Sequence, residues 1–202
     1  MSDYPPEPWE LRGQLHSSVY LVPFYDIPAE VPPEYLPVRF GRYAVVGIAW
    51  ASYEAGGVLD YRELMSTMLV RRAWRLLPTI THIWVDSEAS RDGARALWGI
   101  PKDLAEFTFA RHSYAAADAE GPIATGTVRP LAWLPCRWPV ALELVQWSNG
   151  AAKVTQVRAR ARLGIARAHL DADPSGPLAF LAGRRPLLSF SVGDFRMSIG
   201  AR

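Results

Sequence analysis

Gly93-Ala94-Arg95-Ala96-Leu97-Trp98-Gly99-Ile100-Pro101-Lys102-Asp103-Leu104-Ala105 is the stretch on which the reading of this chain turns. It holds one of only two lysines, the other being Lys153, in a chain with 22 Lys plus Arg. Arginine is the default cation here, so a retained lysine is a candidate for chemistry that arginine cannot perform. Losing a proton near neutral pH is such chemistry, because a guanidinium stays charged and a buried ammonium need not. A neutral amine attacks a carbonyl carbon and forms a Schiff base. The competing reading is a surface lysine kept by chance. Two local features favour the first. Pro101 fixes the backbone just before Lys102. Leu97, Trp98, Ile100, Leu104 and Phe107 surround it in sequence with apolar groups whose packing disfavours a charged amine.

Outward from that stretch the chain reads as many short strands. Thr79 to Val85 is β-branched and aromatic and predicts a strand that ends at Asp86-Ser87. Ala89 to Trp98 predicts one or two helical turns that Gly99 breaks. Leu59 to Trp74 is ambiguous. Asp60 with Glu63 resembles a capping box, whereas Leu59, Tyr61, Glu63, Met65, Thr67 and Leu69 alternate as in a strand. Upstream, Ser18 to Phe24 and Val38 to Ser52 predict strands, separated by a turn-rich segment with Pro28, Pro32, Pro33 and Pro37. Residues 1–13 are Pro-rich and predicted irregular. Downstream, Phe107 to Tyr114, Ile123 to Trp133 and Val140 to Val145 predict short strands. Lys153 to Ala168 predicts a long half-buried one, with Arg158, Arg160 and Arg162 on one face that reads as a solvated row, a site for an anionic ligand being the alternative. Leu178 to Leu181 is short, and Leu187 to Ile199 predicts the closing strands. Many strands with few helices argue for a mainly β, antiparallel barrel or sandwich-like body.

At 202 residues the expectation is a single domain spanning 1–202 with a substantial core. The net charge of +2 does not point to nucleic acid. The lone Cys136 cannot form an internal disulfide, and His16, His82, His112 and His169 lie too far apart in sequence to suggest a metal site. No metal site is expected from these residues. Met1 to Glu10 does not resemble a signal peptide. No apolar run approaches the about 18 residues needed to span a bilayer. The expectation is a cytoplasmic protein that binds neither membrane nor nucleic acid.

Four groups are candidates for chemistry. Lys102 is the nucleophile. Glu54, in the turn Tyr53-Glu54-Ala55-Gly56-Gly57, places a carboxylate at a cavity mouth. Glu63 lies on the ambiguous segment and is a candidate to point inward. Arg95 is suited to a bidentate contact with a substrate carboxylate. Each alone is more often a solvated surface group. No glycine-rich phosphate loop and no Ser-His-Asp signature is present.

The stretch Gly93 to Ala105, with Tyr53-Glu54-Ala55-Gly56 upstream, resembles the acetoacetate decarboxylase family. That family carries Gly, Arg and Leu some residues before a Pro-Lys pair, matched here by Gly93, Arg95, Leu97, Pro101 and Lys102. Its earlier turn with Tyr and Glu is matched by Tyr53 and Glu54. Val38-Arg39-Phe40 resembles the segment before an early pocket strand, and Ile83-Trp84-Val85-Asp86 the strand that enters the lysine loop. The resemblance implies an antiparallel, cone-like β-barrel with a few short helices and a pocket inside it. It implies that Lys102 forms an iminium with a ketone, without metal or organic cofactor, and that Glu54 is a pocket carboxylate. Arg95, Glu63, Ile83, Trp98 and Ile100 are the expected substrate-binding residues, and a homo-oligomer is the expected assembly. Acetoacetate decarboxylase is itself the standard example of a lysine activated by desolvation or by a neighbouring cation.

Several positions depart from the family pattern. The second lysine of the family is Asp103 here, and an anion beside the amine raises its pKa. Ala96 replaces a Glu, Gly41 replaces a pocket Glu, and Arg12 is the candidate for an N-terminal pocket Arg. These losses argue against acetoacetate as substrate. The leading reading is a Schiff-base lyase acting on a keto acid or related carbonyl compound, by decarboxylation or by aldol or dehydration chemistry through the same iminium. The alternatives are a barrel that cyclises a larger, polyketide-like apolar substrate without a covalent lysine, and a non-catalytic small-molecule-binding barrel.

Overall fold

The computed structural model describes residues 4–200. One large sheet of thirteen strands dominates. It begins with β1 (Trp9–Pro23), which is longer than its apolar run suggested and takes up part of the segment predicted irregular. Residues 1–3 of that segment lie outside the described residues. Two short pieces, β2 (Leu36–Pro37) and β3 (Arg39–Phe40), lead to β4 (Tyr43–Tyr53). Strand β5 (Tyr61–Arg72) resolves the ambiguous segment in favour of alternation over the capping-box resemblance. The reason is tertiary, since β5 is laddered on both sides, by β4 and by β6 (Arg75–Val85).

Helix α1 (Glu88–Trp98) follows. Ser87 caps it by accepting from the Ser90 N–H, and Gly99 ends it in the left-handed region at φ 68°. Strand β7 (Lys102–Leu104) then runs parallel to β6, which makes the sheet mixed. Strands β8 (Glu106–Phe109), β9 (Ser113–Asp118), β10 (Gly121–Trp133) and β11 (Trp138–Ser148) lead to β12 (Ala151–Ala172), and β13 (Leu188–Ile199) closes the sheet. The segment predicted short at 178–181 is a 3-10 turn, Ala179–Leu181.

The order in the sheet is β7-β6-β5-β4-β1-β13-β12-β10-β9-β8, with β11 on β12 as well. Strand β12 is the fork. Its first half, up to Ala161, pairs β11, and its second half, from Gly164, pairs β10. Alternation then gives this strand two insides. Val157 and Ala161 enter one buried cluster, whereas Ala166, Leu170 and Ala172 enter the other. Arg158, Arg160 and Arg162 are exposed, as their alternation predicts.

The first cluster lies inside a cone. Trp9 and Leu11 of β1, Ala51 and Tyr53 of β4, Tyr61 of β5 and Ile83 and Val85 of β6 point into it. From the far side come Leu144 of β11, Val157 of β12 and Phe195 of β13. Ala94 and Trp98 of α1 plug it. The close fit of the helix explains Gly93. A Cβ there would lie 2.4 Å from the Trp9 ring, so only glycine lets the helix approach.

The expected barrel is not closed by a ladder, because β6 and β11 share no backbone register. The side chain of Gln146 on β11 bridges the seam instead. Its Oε1 accepts from the Ile80 N–H and from Thr79 Oγ1 at 2.8 Å each, and its Nε2 donates to the Ile80 carbonyl at 3.0 Å. One buried amide thereby satisfies both backbone groups of Ile80 on β6. The second cluster lies on the opposite face of β1, β4 and β5, under β8–β10 and the 3-10 turn.

Candidate active site

Lys102 sits where β7 joins the β6 edge, opposite Ile83. Its side chain enters the cone and is 4% exposed. Residues 102 and 103 are consecutive on a strand, so their side chains leave on opposite faces. Asp103 therefore points to solvent and pairs with Arg95 in a short surface contact. This pair settles two expectations about position. Asp103 does not face the amine, and Arg95 lies outside the cone rather than beside Lys102.

Three hydrogen-bond acceptors meet the three N–H bonds of the Lys102 ammonium. Nζ lies 2.7 Å from Glu63 Oε2, 3.0 Å from Ser90 Oγ and 3.2 Å from the Tyr61 hydroxyl. Each partner is delivered by simple periodicity. Tyr61 and Glu63 are two apart on β5 and share a face. Tyr53 stands directly opposite Tyr61 in the β4–β5 ladder, so the rings stack at 4.3 Å, and its hydroxyl donates to Glu63 Oε1 at 3.1 Å. Ser90, Ala94 and Trp98 repeat at the helical interval and form the buried stripe of α1. Both carboxylate oxygens of Glu63, itself 2% exposed, are thus engaged.

The electrostatics follow from this enclosure. Burial works to lower the Lys102 pKa, but Glu63 and Tyr61 outweigh it, so the amine rests above its ordinary value as an ammonium paired with a carboxylate. Burial raises the Tyr53 hydroxyl pKa well above its ordinary value, reinforced by Glu63, and both phenols stay neutral. The opposing anion expected at Asp103 is present, but as Glu63 inside the cone.

Of the remaining predicted residues, Ile83, Trp98 and Ile100 belong to the apolar wall around the amine. Glu54 is exposed in the turn after β4 and does not reach Lys102. Arg12 is also exposed, on the other face of β1 from Leu11. Sequence reasoning missed Ser90, Tyr61 and Tyr53. The i, i+4 stripe through Trp98 is the signal that points to Ser90, and the alternation of β5 is the one that points to Tyr61. The other lysine, Lys153, is exposed and caps the far end of α1 by donating to the Leu97 carbonyl. Among the described residues no three His, Cys, Asp or Glu side chains gather as a metal site requires. No helix among them is long and apolar enough to cross a membrane.

A profile of acetoacetate decarboxylase matches residues 1–132, which include every hydrogen-bond partner of the amine. The chain belongs to the acetoacetate decarboxylase family. Solved structures agree on the fold over nearly the whole chain. Acetoacetate decarboxylase from Legionella pneumophila is 17% identical, with a TM-score of 0.70 over 98% of this chain and 87% of that one. The enduracididine biosynthesis enzyme MppR, solved with the condensation product of pyruvate and imidazole 4-carboxaldehyde, is 15% identical with a TM-score of 0.66 over 98% and 88%. An acetoacetate decarboxylase-like enzyme from Sphingomonas wittichii is 13% identical with a TM-score of 0.64 over 96% and 91%. No curated protein matches the sequence. Membership of the acetoacetate decarboxylase family links this chain to enzymes.

Proposed function

We propose that the chain is a single-domain, cofactor-independent Schiff-base lyase that acts on a small keto acid or related carbonyl compound, with Lys102 as nucleophile and Glu63 as its proton partner. The observation that carries this reading is the 2.7 Å contact between Lys102 Nζ and Glu63 Oε2 inside the cone, with both groups almost fully buried. A buried ion pair of this kind is seldom worth its desolvation cost for stability alone. It also places a proton acceptor one hydrogen bond away from the ammonium.

The chemistry balances on these two groups. The ammonium passes a proton to Glu63, and the neutral amine attacks the substrate carbonyl carbon. A proton moves from nitrogen to oxygen to give a carbinolamine. Glu63 then returns its proton to the hydroxyl, water leaves, and an iminium faces the carboxylate. In a β-keto acid the carbon–carbon bond next to the carboxylate breaks, its electron pair enters the iminium to give an enamine, and carbon dioxide departs. The enamine takes a proton on carbon, and water releases the ketone. In an aldol variant the iminium instead gives a proton from its adjacent carbon to Glu63, and the enamine adds to the carbonyl carbon of a second molecule, whose oxygen takes that proton. In a dehydration variant the resulting hydroxyl then leaves as water with a proton from the carbon between. MppR was solved with pyruvate and with a pyruvate condensation product, which makes pyruvate-like acids the first substrates to try. The Tyr53–Tyr61 stack and the Ser90 hydroxyl hold the carboxylate and the amine in register.

Borohydride reduction in the presence of a keto-acid panel, followed by peptide mass spectrometry, tests the reading. The expected result is a reduced adduct on Lys102 with at least one acid. Complete absence of an adduct across pyruvate, acetoacetate and longer 2-keto and 3-keto acids overturns it. We also propose a homo-oligomer, supported by exposed Leu131, Leu134 and Ile165 at the β10–β12 end. Light scattering checks this, and a monomer at micromolar concentration rejects it.

A further inference from the structure

A second site lies on the opposite face of the strand that carries Glu63. A cavity of about 430 Å³ opens there, outside the cone, between β1, β4 and β5 on one side and the β8–β10 layer on the other. It does not include Lys102 or any of its partners. The volume falls in the range of small-ligand sites.

The lining is aromatic and cationic. Trp50 and Tyr114 lie nearly parallel at 5.7 Å, and Phe109 meets both edge-on. Trp133 adds a further wall. Arg62, Arg111, His16, His112, Gln14 and Ser52 supply the polar groups, and no Asp or Glu lines the space. Arg62 is partly balanced by Asp86 at 3.5 Å and lies over the Phe109 ring. Arg111 has no carboxylate partner among the described residues, so its charge is uncompensated at the mouth. His16 is only 9% exposed, and its Nδ1 is engaged by Ser191 Oγ at 2.7 Å. Its Nε2 has no partner among the described residues. A cavity with flat walls, an unpaired guanidinium and an imidazole nitrogen left open to the space is complementary to a flat anion.

We propose that this outer cavity binds a planar aromatic monocarboxylate, with Arg111 holding the carboxylate and Trp50, Phe109 and Tyr114 holding the ring. The site is independent of the Schiff-base reading, since it shares no residue with the Lys102 group. The ligand would lie one strand thickness from the amine, because Arg62 is flanked on β5 by Tyr61 and Glu63.

Calorimetric titration with 2-naphthoate and with its neutral isostere 2-naphthamide tests the proposal. The carboxylate is expected to bind about tenfold tighter than the amide, a preference of about 1.4 kcal/mol. Arg111→Ala, at an exposed position, is expected to abolish that preference, and Arg111→Glu to invert it. The double variant Lys102→Met/Glu63→Gln, which leaves no unpaired buried charge, is expected to bind 2-naphthoate within twofold of the wild type. No binding at millimolar concentration, equal affinity for the two probes, or a preference that survives Arg111→Glu overturns the proposal. Loss of binding in a folded double variant also overturns it, because it would put the ligand in the cone.

Discussion

The two faces of β5 carry the same kinds of side chain under opposite conditions. On the inner face Glu63 meets Lys102, and every polar atom of the pair is matched within the protein. On the outer face Arg62 and its neighbours Arg111 and His112 are partly open to solvent and incompletely paired. Adjacent residues of one strand thus end up in a closed electrostatic unit and in an open one. Charges that are buried must be neutralised internally, which fixes their geometry and couples their protons. Charges at a cavity mouth keep their water and remain free to meet a ligand.

The largest expected effect comes from breaking the closed unit. Lys102→Met should eliminate the borohydride adduct outright, because no other described residue near the site offers an amine. It should also cost about 3–5 kcal/mol of stability by leaving Glu63 buried and unpaired. Urea unfolding measures that loss, and the double variant Lys102→Met/Glu63→Gln should recover most of it. A stable, fully active Lys102→Met protein would remove the contrast between the faces altogether.

Glu63→Gln sharpens the same contrast. Burial remains as the force that lowers the Lys102 pKa, while the main force that raises it is gone. The amine pKa should therefore fall below its ordinary 10.5, read from the pH dependence of acylation at Lys102 by mass spectrometry. Turnover should drop about 10²–10⁴-fold from loss of the proton partner. A pKa that stays above 10.5 would mean that Tyr61, not Glu63, is the main force keeping the amine protonated.

The wild-type protein should lose stability in alkali. Lys102, Tyr53 and Tyr61 all have raised folded pKa values, against ordinary values of 10.5 and 10.0. Folding holds their protons, so their contribution is full below those ordinary values and is lost as pH rises through the folded ones. The denaturation midpoint should fall above pH 10.5, and a flat profile to pH 12 would contradict this sign.

Gln146→Leu addresses the seam rather than the faces. It leaves the Ile80 N–H and carbonyl without partners and should cost about 2–4 kcal/mol in a urea melt. The smallest effect is expected from Arg95→Ala. Its pair with Asp103 is half-exposed, so the change should stay within about 0.5 kcal/mol and leave the Lys102 adduct yield unaltered. A large loss of adduct would bring Arg95 back to the site.

Much of the fold was legible because it rests on local pattern. Alternation in 153–168 gave the long strand, and Gly99 gave the end of the helix. The site was legible at its centre, since an arginine-rich chain made Lys102 conspicuous, and less so around it. Glu54 stood out because it sits in a family-like turn, but turns face solvent, and its carboxylate is exposed. Glu63 lay in a segment where a capping-box resemblance competed with alternation. Only the ladders with β4 and β6 settle that competition, and with it the direction in which Glu63 points.

By itself the sequence determined the residues that want to be buried, the strand rhythm and the identity of the one lysine worth watching. Those are properties of neighbours along the chain, and short-range sterics and hydrophobic periodicity encode them. The tertiary structure alone decided that Glu63, Tyr61, Tyr53 and Ser90 converge on that lysine and that Gln146 spans the seam. It also decided that residues from β1, β4, β5 and β8–β10 enclose a second cavity. Those contacts join positions many residues apart, and their energy exists only once the sheet has curled and water has been excluded from both of its faces.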